Sequence, residues 1–344
     1  MNQNKDVCIL AIETSCDETA ASVVKNGREV LTNVVFSQIE IHKLYGGVVP
    51  ELASRNHIPK LSEVADQALP GGFGGIDAIA VTAGPGLLGA LLTGVSYAKA
   101  LSFALKKPLV AVNHIEGHIS ANYISYLNLE PPFICLVASG GHTQVVLVRD
   151  YCEYELFGQT RDDAAGEAID KVARVLGLSY PGGPNLERLA AEGNPKAYKM
   201  PRSFRGENHL DFSFSGPKTA VINRLHGIQQ RQEAFNPADI AASFQNSVVQ
   251  MLADNTFEAA RRAGVYKIAL AGGVSANGAL RGEFLRRGER ENVRIFLPDP
   301  AYCTDNAAMI ASAAYYRFLR GERAALDLNA VAVLPLDKTL NKMI

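Results

Sequence analysis

"VCILAIETSCDETAASVVKNGREV", residues 7–30, decides the fold. An apolar run meets a small, polar loop around Ser15, Cys16 and Asp17, and a second apolar run follows and ends at Asn26-Gly27. Two strand-like runs with polar residues gathered at their junction predict a hairpin. The design returns in "FICLVASGGHTQVVLVRDYCEY", residues 133–154. Ser15 falls opposite Ser139, Thr19 opposite Thr143, and the turn Asn26-Gly27 opposite Asp150-Tyr151. An internal echo of one supersecondary unit predicts a chain built from two related halves.

The segments around these hairpins alternate in type. "IDAIAVTAG" (76–84), "KPLVAVN" (107–113) and "YKIALAGG" (266–273) read as short buried strands. "GLLGALLTGVSYAKALSFAL" (86–105), "DDAAGEAIDKVARVLGL" (162–178), "PADIAASFQNSVVQMLADNTFEAARRAG" (237–264) and "NAAMIASAAYYRFLRG" (306–321) read as helices. Alternation of this kind predicts α/β layers. The domain boundary is placed at "NLEPP" (128–132), giving lobes at 1–129 and 130–314, the first completed by 315–344. Residues 192–218 have little periodicity and read as an inserted loop region in the second lobe.

Composition narrows the function classes. The 344 residues hold 34 Lys+Arg against 35 Asp+Glu, a formal net charge of −1, so no global field draws the chain to nucleic acid or anionic membrane. A nucleic-acid partner has to meet local clusters, such as Lys196, Lys199, Arg202 and Arg205, or Arg281, Arg286, Arg287 and Arg290. Five cysteines form no CxxC and no paired framework, which suits reduced thiols in the cytoplasm. No signal peptide is read at the start. The apolar run before Lys99 is shorter than a membrane span and rich in Gly, Ser and Thr, so it reads as a buried helix.

Three Gly-rich loops follow strands or open helices: "ASGGHTQ" (138–144), "YPGGPNLERLA" (180–190) and "AGGVSANGALR" (271–281). None has the spacing of a P-loop or of a dinucleotide fingerprint. Glycines before helix N-termini still let backbone N–H groups approach an anion, and together they point to a nucleotide.

"VAVNHIEGHISANY" (110–123) places His114 and His118 four residues apart, on one face of a helix, where both can hold one ion. The zinc-protease order HExxH is not met, because Glu116 stands two residues after His114, roughly 200° around the helix. A third ligand has to come from elsewhere. Two hydrogen-bonded helix histidines remain the other reading of these residues.

In chain order, "AIETSCDETAAS", "YGGVVPELASRNH", "NHIEGH", "ASGGHTQ", "GEAIDKVARVLGLSYPGGPNLERLA", "DFSFSGPKTA", "AGGVSANGALR" and "CTDNAAMIA" closely resemble the tRNA N6-adenosine threonylcarbamoyltransferase family, over nearly the whole chain. The resemblance implies an actin-like, Hsp70-like two-lobed α/β fold with duplicated domains. It implies transfer of a threonylcarbamoyl group from threonylcarbamoyl-AMP to the N6 amine of the adenosine 3′ of the anticodon, in tRNAs reading codons that begin with A. One divalent metal is implied, iron or else zinc, on His114, His118 and Asp305; Asp305 also stands where an N-cap of the closing helix is expected. Contacts to the donor are implied for Val137, Ala138, Ser139, Gly140, Gly141, Asp170, Gly183, Glu187 and Asn277. At position 187 some relatives carry Asp, so the longer Glu changes the reach there. Where archaeal and eukaryotic relatives often have a further Tyr ligand this chain has Val137, and no Tyr ligand is expected.

Asp17 and Glu18 match acidic positions needed for the family's activity. The implied partners, besides tRNA, are a paralogous actin-like subunit and a small ATPase subunit, with no membrane. The competing readings are a metal-dependent O-sialoglycoprotein endopeptidase, disfavoured by the displaced Glu116 and the free thiols, and an actin-like ATPase or sugar kinase, which leaves a His/His/Asp set unexplained.

Overall fold

The structure, a computed structural model, describes residues 6–204 and 208–336, so Arg205 lies outside the described residues. In chain order the elements are β1 Cys8–Glu13, β2 Glu18–Lys25, β3 Glu29–Ser37, α1 Ile39–Lys43, α2 Pro50–Ala68, β4 Ala78–Gly84, α3 Leu88–Leu105, β5 Leu109–Asn113, α4 His114–Ser125, β6 Phe133–Ala138, β7 Thr143–Asp150 and β8 Glu153–Gln159. They continue as α5 Ala165–Val175, α6 Gly182–Ala190, α7 Ser215–Arg231, α8 Pro237–Ala263, β9 Lys267–Ala271, α9 Gly278–Glu291, β10 Arg294–Phe296 and α10 Ala307–Leu319. The chain forms two compact units. One comprises Met1–Pro131, Asp150–Tyr154 and Pro298–Ile344, and the other Pro132–Arg149 and Glu155–Leu297.

The two sheets share one plan. The first runs β3-β2-β1-β4-β5 and the second β10-β9-β6-β7-β8, which is the same order read from the other edge. In each, a hairpin pairs antiparallel (β1 with β2, β6 with β7) while the hairpin's first strand pairs parallel with the next strand in the sheet (β1 with β4, β6 with β9). Even the register corresponds. Ile12 pairs Ala21 in the first hairpin and Leu136 pairs Val145 in the second, the same shift that sets Ser15 opposite Ser139. The echo in the sequence is therefore a duplicated sheet. Asn26 and Gly27, at φ 53° and 71°, make the tight β2–β3 turn for which the pair is suited.

In the first unit both faces of the sheet are covered. Leu10, Ile12, Ile79 and Val81 pack with Leu61, Val64, Leu91 and Val95 of α2 and α3. Ile9, Ala11, Ala78 and Ala80 pack with Ala307, Ala308, Ile310, Ala311 and Ala314 of α10. Residues 298–314, expected in the second lobe, thus belong with the first. The alanines of α10 let its axis come close to β1, and Gly117 of α4 has room only for hydrogen, since a Cβ there would meet Ile310 Cδ1 at 2.5 Å. The apolar helix α3 is long and hydrophobic enough to cross a membrane, yet here it turns Ala90, Leu91, Gly94, Val95 and Ala98 into the core. Helix α2 runs on through Pro59 without interruption.

In the second unit Ile134, Leu136, Val145 and Leu147 pack against α5 and α8 around Phe212, Phe214, Phe244 and Phe257. Within the region 192–218, residues 192–204 and 208–214 are largely irregular, as their composition predicts, and the rest opens α7. They are strapped to α8, with Tyr198 N–H donating to Ser243 Oγ at 3.1 Å and Asn255 Nδ2 donating to the carbonyls of Leu210 and Asp211 at 3.0 Å.

Candidate active site

Helix α4 starts where it does because Asn113 caps it, Oδ1 accepting from Ile115 N–H at 2.8 Å. That places His114 in the first turn and His118 one turn further on, with ring centroids 4.6 Å apart. Asp305 precedes α10. Asn306, not Asp305, is the N-cap, its Oδ1 accepting from Met309 N–H at 3.0 Å. The Asp305 carboxylate instead faces the rings, with Oδ1 3.5 Å from His114 Nε2 and 3.2 Å from His118 Nε2. One ligand atom from each of the three residues lies within 4.8 Å of the others.

These residues fit a cation. His118 is 1 % exposed, and neither of its ring nitrogens has a hydrogen-bond partner among the described residues. Leaving a buried imidazole unpaired is costly, and coordination through Nε2 removes that cost. Two imidazoles and one carboxylate are a donor set that iron and zinc both accept. Burial by itself lowers the His114 pKa, but the Asp305 and Glu13 carboxylates outweigh it and hold it at about 9. A cation between His114 and Asp305 takes the place of that proton.

Asp17 and Glu18 lie at the β1–β2 tip in the same unit. Asp17 C=O accepts from Gln38 N–H at 3.1 Å, and Ser37 Oγ donates to Glu18 Oε1 at 3.1 Å. Burial, then the charges of Asp305 and Asp17, raise the Glu18 carboxyl well above its usual range. Two residues given no role in the sequence reading secure this region. His57 Nε2 donates to Cys16 C=O at 3.0 Å while Nδ1 accepts from Thr19 Oγ1 at 2.8 Å. Glu13, fully buried, contacts His114 Nδ1 through Oε2 at 3.1 Å and accepts from Thr82 Oγ1 at 2.7 Å. Glu116 is turned away from the ligands into a buried ion pair, Oε2 accepting from Arg317 Nε at 2.7 Å.

In the second unit the implied donor contacts gather around the β6–β7 tip and the N-termini of α5, α6 and α9. Val137 and Ala138 are fully buried strand residues, backbone included, so they support the tip and do not line its exposed surface. Ser139 C=O accepts from Gly166 N–H at 3.1 Å, tying the tip to α5. Gly140 and Gly141 are exposed, with nothing within 4 Å of where a Cβ would stand, and half-buried Gly183 has the same open space. Asp170 is not in a surface ion pair. Its Oδ1 accepts from Gly182 N–H at 2.9 Å at the start of α6, and burial raises its pKa. Glu187 Oε1 accepts from Gly278 N–H at 2.6 Å, and Asn277 caps α9 through Leu280 N–H at 3.0 Å while donating to Gln245. The longer Glu at 187 thus spans α6 to α9.

Of the basic clusters, Lys196 and Lys199 are exposed, while Arg202 lies 3.4 Å from Asp254. In the second cluster Arg287 is buried against Glu283 and Asp254 and half-buried Arg281 donates to Ser275 C=O, while Arg286 and Arg290 are exposed and pair with Glu283 and Glu291.

Residues 29–312 match the model of the TsaD family, tRNA N6-adenosine threonylcarbamoyltransferase. The chain belongs to this family. A Clostridium kluyveri protein of that name is 57% identical over 337 residues, covering 97% of this chain and 99% of its own length. One from Clostridium perfringens strain SM101 is 57% identical over 330 residues, covering 95% and 97%. In fold the chain is similar to full-length HypF in a phosphate- and nucleotide-bound form, at TM-score 0.61 and 15% identity, over 92% of this chain and 47% of that one, about half of HypF. It is also similar to the activator of 2-hydroxyisocaproyl-CoA dehydratase from Clostridium difficile with bound ADPNP, at TM-score 0.51 and 15% identity, over 93% and 99%. The likeness shows a fold shared with these two proteins. As a member of this family the chain is a transferase that places a threonylcarbamoyl group on the N6 of adenosine in tRNA. The peptidase and kinase readings are not favoured.

Proposed function

We propose that this chain takes its acyl group from threonylcarbamoyl-AMP, with His114, His118 and Asp305 holding one divalent metal, iron first and zinc second. The observation that carries the metal is the unpartnered, buried His118 beside Asp305, with His114 completing the set. When bound, the metal supplies Lewis-acid polarisation of the acyl donor's oxygens.

Most of the rate comes from positioning, because AMP is already a good leaving group. In the second unit, the open Gly140–Gly141 tip offers backbone N–H groups to phosphate. Gly183 at the start of α6 leaves space for the adenylate to approach, while Asp170, Glu187 and Asn277 fix the helix starts that line it. In the first unit, Asp17 or Glu18, as an ionised carboxylate, receives the proton lost by the N6 amine as its nitrogen bonds to the carbamoyl carbon and the C–O bond to AMP breaks. Exposed Lys196 and Lys199, with Arg202 and Arg205, contact tRNA phosphates. The chain works in the cytoplasm with a paralogous actin-like subunit and a small ATPase subunit.

The test is a transfer assay with those partners, a synthase for the adenylate, labelled threonine, bicarbonate, ATP and unmodified tRNA. Label enters tRNA with the wild type and is lost with His114→Ala and Asp305→Ala. Transfer that persists in both variants excludes the metal site from the reaction.

A further inference from the structure

We infer that Glu13 is a positioning residue that selects the tautomer of His114 and aims its Nε2 lone pair into the site. The inference rests on the reading of His114, His118 and Asp305 as metal ligands. Glu13 is the last residue of β1, the central strand of its sheet, and is 0 % exposed. A carboxylate so placed has to be fully bonded to be tolerated, and it is. Oε1 accepts from Ser15 N–H, while Oε2 accepts from Thr82 Oγ1 at 2.7 Å and lies 3.1 Å from His114 Nδ1. Ser15 N–H cannot do otherwise than donate. The carboxylate is thereby pinned at both oxygens, and its free direction is toward His114.

Nδ1 also lies 3.1 Å from Ser15 Oγ, a hydroxyl that can donate or accept, so it is the ionised Glu13 carboxylate, which can only accept, that requires Nδ1 to carry the proton. With Nδ1 protonated, the neutral ring has its lone pair on Nε2, and Nε2 is the atom that faces Asp305 at 3.5 Å. The pattern, carboxylate to imidazole to ligand position, is the one by which outer carboxylates orient metal-binding histidines. His118 has no such backing, because its Nδ1 is unpartnered among the described residues. The two histidines are thus unequal: one is set in advance by β1 and β4, and the other has Asp305 at its Nε2 and no partner at its Nδ1 among the described residues.

Glutamine at position 13 has one acceptor oxygen where the structure uses two. If its oxygen faces Thr82 and His114, its amide donor confronts Ser15 N–H. If its oxygen faces Ser15, its amide donor confronts His114 Nδ1 and favours the Nε2–H tautomer, which removes the lone pair from the ligand position.

The experiment titrates the metal-free full chain with Zn²⁺ against a chromogenic chelator, for wild type, His114→Ala, Glu13→Gln and Thr82→Val, with thermal unfolding as the check on folding. Glu13→Gln is expected to weaken Zn²⁺ binding roughly ten- to a hundredfold, and Thr82→Val, which loosens Glu13 by one bond, by a smaller factor. A Glu13→Gln chain that is folded and binds Zn²⁺ like the wild type overturns the inference. Should Glu13→Gln not fold, Thr82→Val decides by whether its affinity falls. Imidazole ¹⁵N spectra of the metal-free wild type, taken above the His114 pKa of about 9 so that the ring is neutral, give a readout that a merely structural role would not move. An Nδ1–H signal for His114 in the neutral ring supports the inference, and Nε2–H refutes it. If instead His114→Ala binds Zn²⁺ as tightly as the wild type, the metal reading itself fails, which the other comparisons do not mimic.

Discussion

Replacing Arg317 by Met leaves the Glu116 carboxylate buried without its cation. Arg317 is 6 % and Glu116 0 % exposed. Their contact at 2.7 Å is joined by Arg317 Nη1 to Glu322 at 2.6 Å and by Tyr154 OH donating to Glu116 Oε1 at 3.1 Å. Burial alone would lower the Arg317 pKa, but Glu116 more than compensates and raises it. Breaking one partner out of such a pair typically costs about 3–5 kcal/mol, against about 0–1 kcal/mol for an exposed pair like Lys60–Glu63. For a unit of this size, at roughly 2–4 °C per kcal/mol, the melting midpoint falls by roughly 6–20 °C. Thermal and urea unfolding of Arg317→Met measure this, with Lys60→Met as the control near zero. The double variant Glu116→Gln with Arg317→Met is expected to recover much of the loss, because no charge is then stranded. An Arg317→Met chain within about 1 kcal/mol of wild type would refute the reasoning. So would a Glu116→Gln chain of unchanged stability that has lost all transfer, because Glu116 would then be a catalytic base and not a tie between α4 and α10.

Gly272→Ala places a Cβ 2.4 Å from Ala138 O at φ +85°, whereas Gly141→Ala meets nothing. The first is expected to destabilise by about 1–3 kcal/mol in urea unfolding, and the second to leave stability unchanged while weakening AMP binding by calorimetry. Asp163 is held below its usual range: burial opposes this, and hydrogen bonds from Lys171 and Lys218 outweigh it. Its stabilising share is therefore full above the unfolded carboxyl pKa and lost as the pH falls through the lower folded value. Asp163→Asn should flatten the acid limb of a stability–pH profile, and an unchanged limb would count against it. Lys196→Ala with Lys199→Ala should weaken binding to all tRNAs alike and lower the log–log salt slope by about 2, as filter binding across salt would show.

The duplication was legible in the sequence because the hairpin's apolar runs and polar tip recur intact, and side-chain alternation fixes a register that the backbone then keeps. The strand-and-helix alternation was legible for the same reason. The assignment of 298–314 to the second lobe failed because contiguity along the chain says nothing about which sheet an alanine-rich helix will cover; α10 fits β1 by size and not by sequence proximity. At the candidate site, the i, i+4 spacing of His114 and His118 was readable from helix geometry. Glu13 was passed over in "ETSCDET" because a strand-end Glu beside two loop carboxylates looks equivalent to them until the fold buries it against Thr82 and His114. The structural roles of Asp170, Glu187 and Asn277 depend on contacts between helices far apart in sequence, such as Glu187 to Gly278, and no spacing rule announces those.

One hairpin, used twice, has been given opposite electrostatic characters. Aligning the two through their shared register sets Thr14-Ser15-Cys16-Asp17-Glu18 against Ala138-Ser139-Gly140-Gly141-His142. Where the first tip carries Asp17 and Glu18, the second has Gly141 and His142, and where Glu13 backs His114 the second has Val137. Carboxylates repel a phosphate and attract a cation or an amine proton, while bare glycine N–H groups do the reverse. A duplicated scaffold with identical tips would offer two sites of one kind. Divergence at a handful of tip residues, with Ser and Thr kept at the same register positions, is what the proposed division rests on, metal and proton chemistry in one unit and a nucleotide's phosphate in the other, while the sheet plan that presents both tips stays the same.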